Sequence, residues 1–160
     1  VGKKPRTQRQ VNQATDARLQ KTYNITLADR TYLESLHDGK CWISGRPAGT
    51  RSLHVDHDHS YKKVKIQAER WTPEKNDADT WCVSAVYNGV EYFEINPKKS
   101  IAVRDLKKQL LRASVRGLLS YNINAGLQKF SDSPELLRTA ADYLENFRKG
   151  SPLTGRGETT

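Results

Sequence analysis

Three of the four histidines of the chain fall within six residues, in the run Leu53-His54-Val55-Asp56-His57-Asp58-His59. Imidazoles and carboxylates alternate there, so nitrogen and oxygen donors can converge on one metal ion and one water. On an extended strand, side chains two apart share a face, which would send His54, Asp56 and Asp58 one way and His57 and His59 the other. A strand that ends near Asp56 relaxes that split. Asp56 could then hold a hard cation while His57 turns toward a reacting water. A polar surface loop, or a transition-metal site without chemistry, fits the same tract, since His-rich segments bind metal without catalysing anything.

The balance of the chain narrows the choice. With 27 Lys and Arg against 18 Asp and Glu, the formal charge is +9 over 160 residues. That excess favours a polyanionic partner, because each phosphate neutralised by a cation releases condensed counterions. Nucleic acid is the first expectation. Cys41 and Cys82 are the only two cysteines, too few for a disulfide framework or a four-sulfur zinc site. A catalytic metal would therefore rely on oxygen and nitrogen. No apolar run approaches the roughly 20 residues of a membrane span, and no apolar signal core opens the sequence. The expectation is an intracellular, cytoplasmic protein with no membrane partner.

Residues 1–14 are basic and polar without an apolar period, the pattern of a flexible arm able to lie along phosphates. Helical spacing begins near Asp16, with Leu19 and Tyr23 four apart. A second helix follows Thr26, whose position three residues before Asp29 makes a capping-box-like start, with Tyr32, Leu33 and Leu36 as its apolar side. Cys41 to Pro47 reads as a knuckle, and residues 52–56 as a strand leading into the histidine cluster. Val64, Ile66 and Ala68 alternate with polar residues, so a return strand is expected there. Trp81 to Ile95 reads as a hairpin around Asn88-Gly89. Ser100 opens a helix with Val103, Leu106, Leu110 and Ala113 on one side and Arg104, Lys107, Lys108 and Arg112 on the other; the charged side could meet phosphate or only water. A strand at 115–119, a helix from Asn122 to Phe130, and a last helix from Pro134, capped by Ser133 and burying Leu136, Leu137, Ala140, Ala141 and Leu144, complete the expectation. The tail 150–160 is expected to be disordered.

Taken in order, Tyr23-Asn24-Ile25-Thr26, Gly39-Lys40-Cys41-Trp42-Ile43-Ser44-Gly45-Arg46-Pro47, the histidine cluster, and Val115-Arg116-Gly117-Leu118-Leu119-Ser120-Tyr121-Asn122-Ile123-Asn124-Ala125-Gly126-Leu127 resemble the recombination endonuclease VII family. These are phage His-Me finger (HNH-type) nucleases that include Holliday-junction resolvases. The resemblance extends through Phe130, Asp132 and the helix ending Ala141-Asp142-Tyr143-Leu144. It implies an α+β fold with a His-Me finger (ββα-metal) core, flanking helices and an inserted β-hairpin plus helix. On that basis residues 15–149 form the nuclease domain, with an insertion at about 61–114. The residue matching His57 is the general base, and those matching Asp56 and Asn124 hold Mg²⁺ (or Mn²⁺). Elementary chemistry agrees: imidazole titrates nearest neutrality, and Mg²⁺ prefers oxygen ligands and keeps waters. His54 and His59 are secondary catalytic candidates, with structural roles open for each. Arg116, Lys107, Lys108 and Arg112 are candidate DNA contacts, Arg116 through its planar fork.

Two departures from the family pattern matter. Its two CxxC pairs, which hold structural zinc, are here Cys41, Ser44, Ser120 and Ile123, so no structural zinc is expected. Trp42, Ile43, Ile123, Leu118 and Leu119 are the expected apolar substitutes. The second departure is the insertion, which separates the histidine cluster from Val115 and could add DNA contacts, a dimer surface or nothing. The resemblance implies a Mg²⁺-dependent endodeoxyribonuclease of branched DNA, acting in the cytoplasm of a phage host and dimerising through its C-terminal helices. A site-specific nicking or homing enzyme on duplex DNA, and a catalytically silent DNA-binding module, are the alternatives.

Overall fold

The computed structural model describes residues 5–71 and 80–148. The chain divides into two units, residues 1–120 and 121–160, and mixes helices with antiparallel strands in an α+β arrangement. The expected tail at 150–160 and residues 1–4 of the expected arm lie outside the described residues, as does the polar stretch 72–79.

The first unit opens with α1 (Gln8–Tyr23), which begins inside the segment expected to be an arm. The Thr7 hydroxyl accepts from the Gln10 N–H while the Gln10 side chain accepts from the Thr7 N–H. That reciprocal cap satisfies two otherwise orphaned donors. The helix escapes periodicity because Leu19 is its only buried residue among those described. Asn24, in the left-handed region at φ 54°, ends it. α2 (Leu27–Ser35) starts as expected, with the Thr26 hydroxyl accepting from Asp29 N–H at 3.1 Å and the Asp29 carboxylate accepting from Thr26 N–H at 2.7 Å. Its expected apolar side is not buried: Tyr32 and Leu36 are 63% and 48% exposed.

β1 (His54–His57) leads into a 3₁₀ turn (His59–Lys63), then β2 (Gln67–Trp71), β3 (Thr80–Tyr87), β4 (Val90–Asn96), α3 (Lys99–Ala113) and β5 (Val115–Leu119). The partner of β1 is β5, antiparallel, with Val55 opposite Leu118 and Asp56 opposite Gly117. The expected return strand around Val64 and Ile66 is therefore corrected. That stretch is a turn and loop, and Ala68 pairs with Val83 in a separate sheet of order β2-β3-β4. Alternation alone could not choose between two partners, because it fixes which face is apolar and not which strand lies alongside.

The hairpin from β3 to β4 turns at Asn88 and Gly89, at φ 52° and 78°, where positive φ at both positions matches the strand twist. Val83, Ala85 and Tyr87 of this sheet pack against Ala102, Leu106 and Leu110 of α3, with Tyr61, Val64, Ile66 and Ala68 around them. Leu19, Ile25 and Leu53 are also buried, as are Val55, Leu118 and Leu119 of the β1–β5 pair. Two polar contacts join the pair to the inserted region: Asp58 N–H donates to the Ser114 carbonyl at 2.9 Å, and the Tyr87 hydroxyl donates to Asp58 at 2.9 Å.

The second unit holds α4 (Tyr121–Lys129) and α5 (Pro134–Arg148). Ser133 caps α5 as expected, accepting from Leu136 N–H. The expected burial along α5 is not seen: Leu136 and Leu144 are 51% and 60% exposed, Ala141 is exposed, and Leu137 and Ala140 are half-buried.

Candidate functional site

The site starts from an irregularity in the β1–β5 ladder. Asp56 pairs with Gly117, but His57 pairs with Val115, so Arg116 is passed over. A bulge of this kind leaves a residue unpaired and re-aims side chains. Here the Arg116 fork grips the Asp56 carboxylate in both places, Nε to Oδ2 at 2.7 Å and Nη2 to Oδ1 at 2.9 Å. Asp56 is buried, and this charge-assisted pairing supplies what a buried carboxylate needs.

Past the bulge, His57 joins an aromatic cluster. Its ring lies edge-on to Tyr23, centroids 5.3 Å apart, and its neighbours are His59 at 4.4 Å and Tyr61 at 6.3 Å. Burial holds the His57 pKa below its ordinary value, and the charge of protonated His59 pushes it the same way. Asp56 opposes the shift, while Lys62 and Arg116 reinforce it. The ring is thereby kept in the neutral, proton-accepting form near neutral pH. His59 is exposed and His57 half-buried. The strict split of these two rings from Asp56 does not hold as a strand rule, because the bulge falls between Asp56 and His57.

His54 lies at the other end of β1, in a small cleft of about 100 Å³ with Arg18, Thr22, Tyr23 and Arg30. Asp58 is engaged through both of its oxygens. Burial pushes its pKa up, but the Ser60 hydroxyl and N–H, at 2.6 and 2.8 Å, and the Tyr87 hydroxyl outweigh it and hold the group below the usual carboxylate range. Asp58 thus caps the 3₁₀ turn that carries His59 and Tyr61.

Of the basic candidates, Arg116 is engaged with Asp56, and Arg112 with Asp29 through bonds of 2.7 and 2.6 Å. The second pairing ties α3 to the start of α2. Lys108 bonds Asp105 at 3.0 Å, and it lines a cavity together with Lys107. Asn124 lies in α4 of the second unit and is half-buried.

Of the apolar set expected at the knuckle, Leu118 and Leu119 are buried and Ile43 is not. Ile43 is 57% exposed, whereas Trp42 stacks on His37 at 4.2 Å and covers Gly117 so closely that a Cβ there would lie 2.7 Å from the indole. Ile123 lies on α4 in the second unit. Cys41 is buried; burial pushes its thiol up, but donors from Ser44, from the Ser120 N–H and from the Ile43 N–H bring it down to about 6. The knuckle chain closes on itself through Cys41 N–H to the Arg46 carbonyl and Gly45 N–H to the Cys41 carbonyl, both 2.9 Å. Trp42 N–H then donates to Leu118 of β5 at 3.1 Å.

Sequence reasoning missed Tyr23, Tyr61 and Tyr87 as neighbours of the cluster. Tyr61 is two residues past His59, and that short separation was its one available signal. Tyr23 and Tyr87 arrive from distant parts of the chain and left none.

A basic α+β protein that gathers imidazoles beside a buried, ion-paired carboxylate has the equipment of a phosphodiester-cleaving protein. Residues 16–146 match the family model for recombination endonuclease VII, and the chain belongs to that family. Membership makes it an endonuclease with DNA as its substrate. No curated protein and no solved structure matches the chain. Among the described residues, no helix is long and apolar enough to cross a membrane.

Proposed function

We propose that the protein hydrolyses phosphodiester bonds in branched DNA at a His-Me finger site built on the β1–β5 pair, with a divalent cation, Mg²⁺ or Mn²⁺, as cofactor. The observation that carries this reading is the bulge, which sets a neutral-leaning His57 directly after an Asp56 held by Arg116. In chain order, α4 with Asn124 follows β5 after one residue, as a ββα core requires.

The donor set suits the cation. Among the described residues no three or more His, Cys, Asp and Glu side chains form a complete metal cage. Mg²⁺ does not need one, since it is bound through one or two carboxylates plus substrate phosphate and keeps several waters. Asp56 and Asn124 are the oxygen donors assigned to it. When bound, the cation offsets charge on the phosphorane and stabilises the leaving oxygen.

The remaining work falls to side chains. His57 takes a proton from the attacking water, a role that calls for a neutral imidazole near the working pH. Arg116 fixes the orientation of Asp56 and keeps positive charge where a phosphate must arrive. His59, exposed beside His57, is assigned to proton delivery toward the leaving group. His54, at the far end of the strand with Arg18 and Arg30, is assigned to the flanking phosphates. A homodimer through α5 is the assembly that its exposed Leu136, Tyr143 and Leu144 support.

Four-way junctions, nicked duplex and linear duplex, each incubated with and without Mg²⁺, test the proposal. Junctions should be cut preferentially and only with the cation. Absence of cleavage of every substrate would end the reading. Cutting confined to one defined linear sequence would replace the resolvase-like assignment with a homing-type one.

A further inference from the structure

The inserted region also builds a cavity. Between the chain following the 3₁₀ turn and one side of α3 lies a space of about 350 Å³, at the low end of the roughly 300–1,000 Å³ typical of small-ligand clefts. Val64 and Ile66 of the loop, with Leu110 and Leu111 of α3, give it apolar walls. Lys62, Lys107 and Lys108 add positive charge around those walls.

Tyr61 belongs to both places. Its ring lines the cavity and stands 6.3 Å, centroid to centroid, from His57. The Lys62 ammonium sits 5.9 Å from the same ring. An apolar slot with an aromatic wall and several cations matches a flat heterocycle joined to phosphate, because bases stack on aromatic faces while cations follow the backbone. A base paired inside a duplex cannot enter such a slot; it must first leave the stack.

We propose that this cavity receives one unpaired nucleobase of the DNA strand, beside the phosphate presented to His57. The inference rests on the nuclease reading for its substrate and adds what that reading lacks, a reason for the insertion. Unpaired nucleotides occur at bulges, mismatches and branch points. The cavity therefore selects DNA by the availability of a free base and not by its sequence.

The test reads binding in EDTA, so that it stands apart from cleavage. A duplex carrying a single bulged 2-aminopurine and its fully paired counterpart are titrated with the whole protein, following 2-aminopurine fluorescence and anisotropy. The wild type should bind the bulged duplex about tenfold more tightly and quench its fluorescence. Ile66→Trp and Leu111→Trp, which fill the slot from opposite walls, should each bring the affinity ratio close to one. Thermal melts identify which variant folds, and either one suffices. Equal binding of the two duplexes by the wild type overturns the proposal, as does a ratio that a folded variant leaves unchanged. If free deoxyadenosine monophosphate competed as well as the bulged strand, the slot would serve a mononucleotide and the strand assignment would be wrong. Loss of all cleavage with the binding preference intact would sink the nuclease reading alone.

Discussion

The β1–β5 pair and the β2–β3–β4 sheet lie within the same unit and are built on opposite plans. The three-stranded sheet is regular: its registers run without a shift, its hairpin turns on Asn88-Gly89, and its inner face packs against α3 through Leu106 and Leu110. The two-stranded pair is short and bulged, and it spends its side chains on an ion pair and a cluster of rings. The inner face of the three-stranded sheet buries Val83, Ala85 and Tyr87 and serves stability, while Val86, Phe93 and Ile95 are exposed. A region that buries a carboxylate against a guanidinium and leaves a histidine half-covered gives up regularity to hold reactive groups.

The sharpest separation of the two should come from the core of the sheet. Leu106, fully buried at the centre of α3, should cost about 2–5 kcal/mol when replaced by alanine, read as a lowered midpoint in urea. Specific cleavage by the remaining folded fraction should stay close to wild type. If Leu106→Ala instead abolished cleavage without loss of stability, the division between the regions would be wrong.

Next in size is Gly117→Ala. The new Cβ would meet the Trp42 ring at 2.7 Å, and relief requires moving the indole or the strand opposite Asp56. Overpacking of this kind costs about 1–3 kcal/mol, and because Gly117 pairs with Asp56, cleavage should fall together with stability. Retained activity at reduced stability would show that the bulge tolerates displacement.

Tyr87→Phe probes the link between the regions. It removes the hydroxyl that donates to Asp58, and the expected loss is about 1 kcal/mol with the site otherwise intact. A pH profile supplies the smallest and most specific effect. His57 has its pKa held below the ordinary 6.5, so its neutral form persists as pH falls through 6.5, and the acid limb of the cleavage profile should lie below that value. His59→Ala removes the like charge that contributes to the depression, so the limb should move upward. An acid limb above 6.5 in the wild type would remove His57 as the titrating base.

Much of the sheet was legible because its signals are local. Asn88-Gly89 demands positive φ, and Leu106 and Leu110 repeat at helical spacing; both were read correctly. The capping box at Thr26 and Asp29 was equally visible. The start of α1 was not, since a helix that buries one residue among those described has no apolar period to display. The return strand expected around Val64 and Ile66 fails for a different reason. Val64 and Ile66 alternate as a strand would, yet their burial serves the packing beside α3, and periodicity reports burial without naming the neighbour. The candidate site was legible as a set of residue types at His54 to His59. Its geometry was not, because the bulge depends on Arg116, sixty positions from Asp56 along the chain.

The most direct measurement is single-turnover cleavage of a four-way junction in Mg²⁺ by wild type and by His57→Ala, with folding of both confirmed by circular dichroism. Loss of the base should slow cleavage by about 10²–10⁴-fold while junction binding in EDTA is retained. A folded His57→Ala protein that cuts at the wild-type rate would contradict the account.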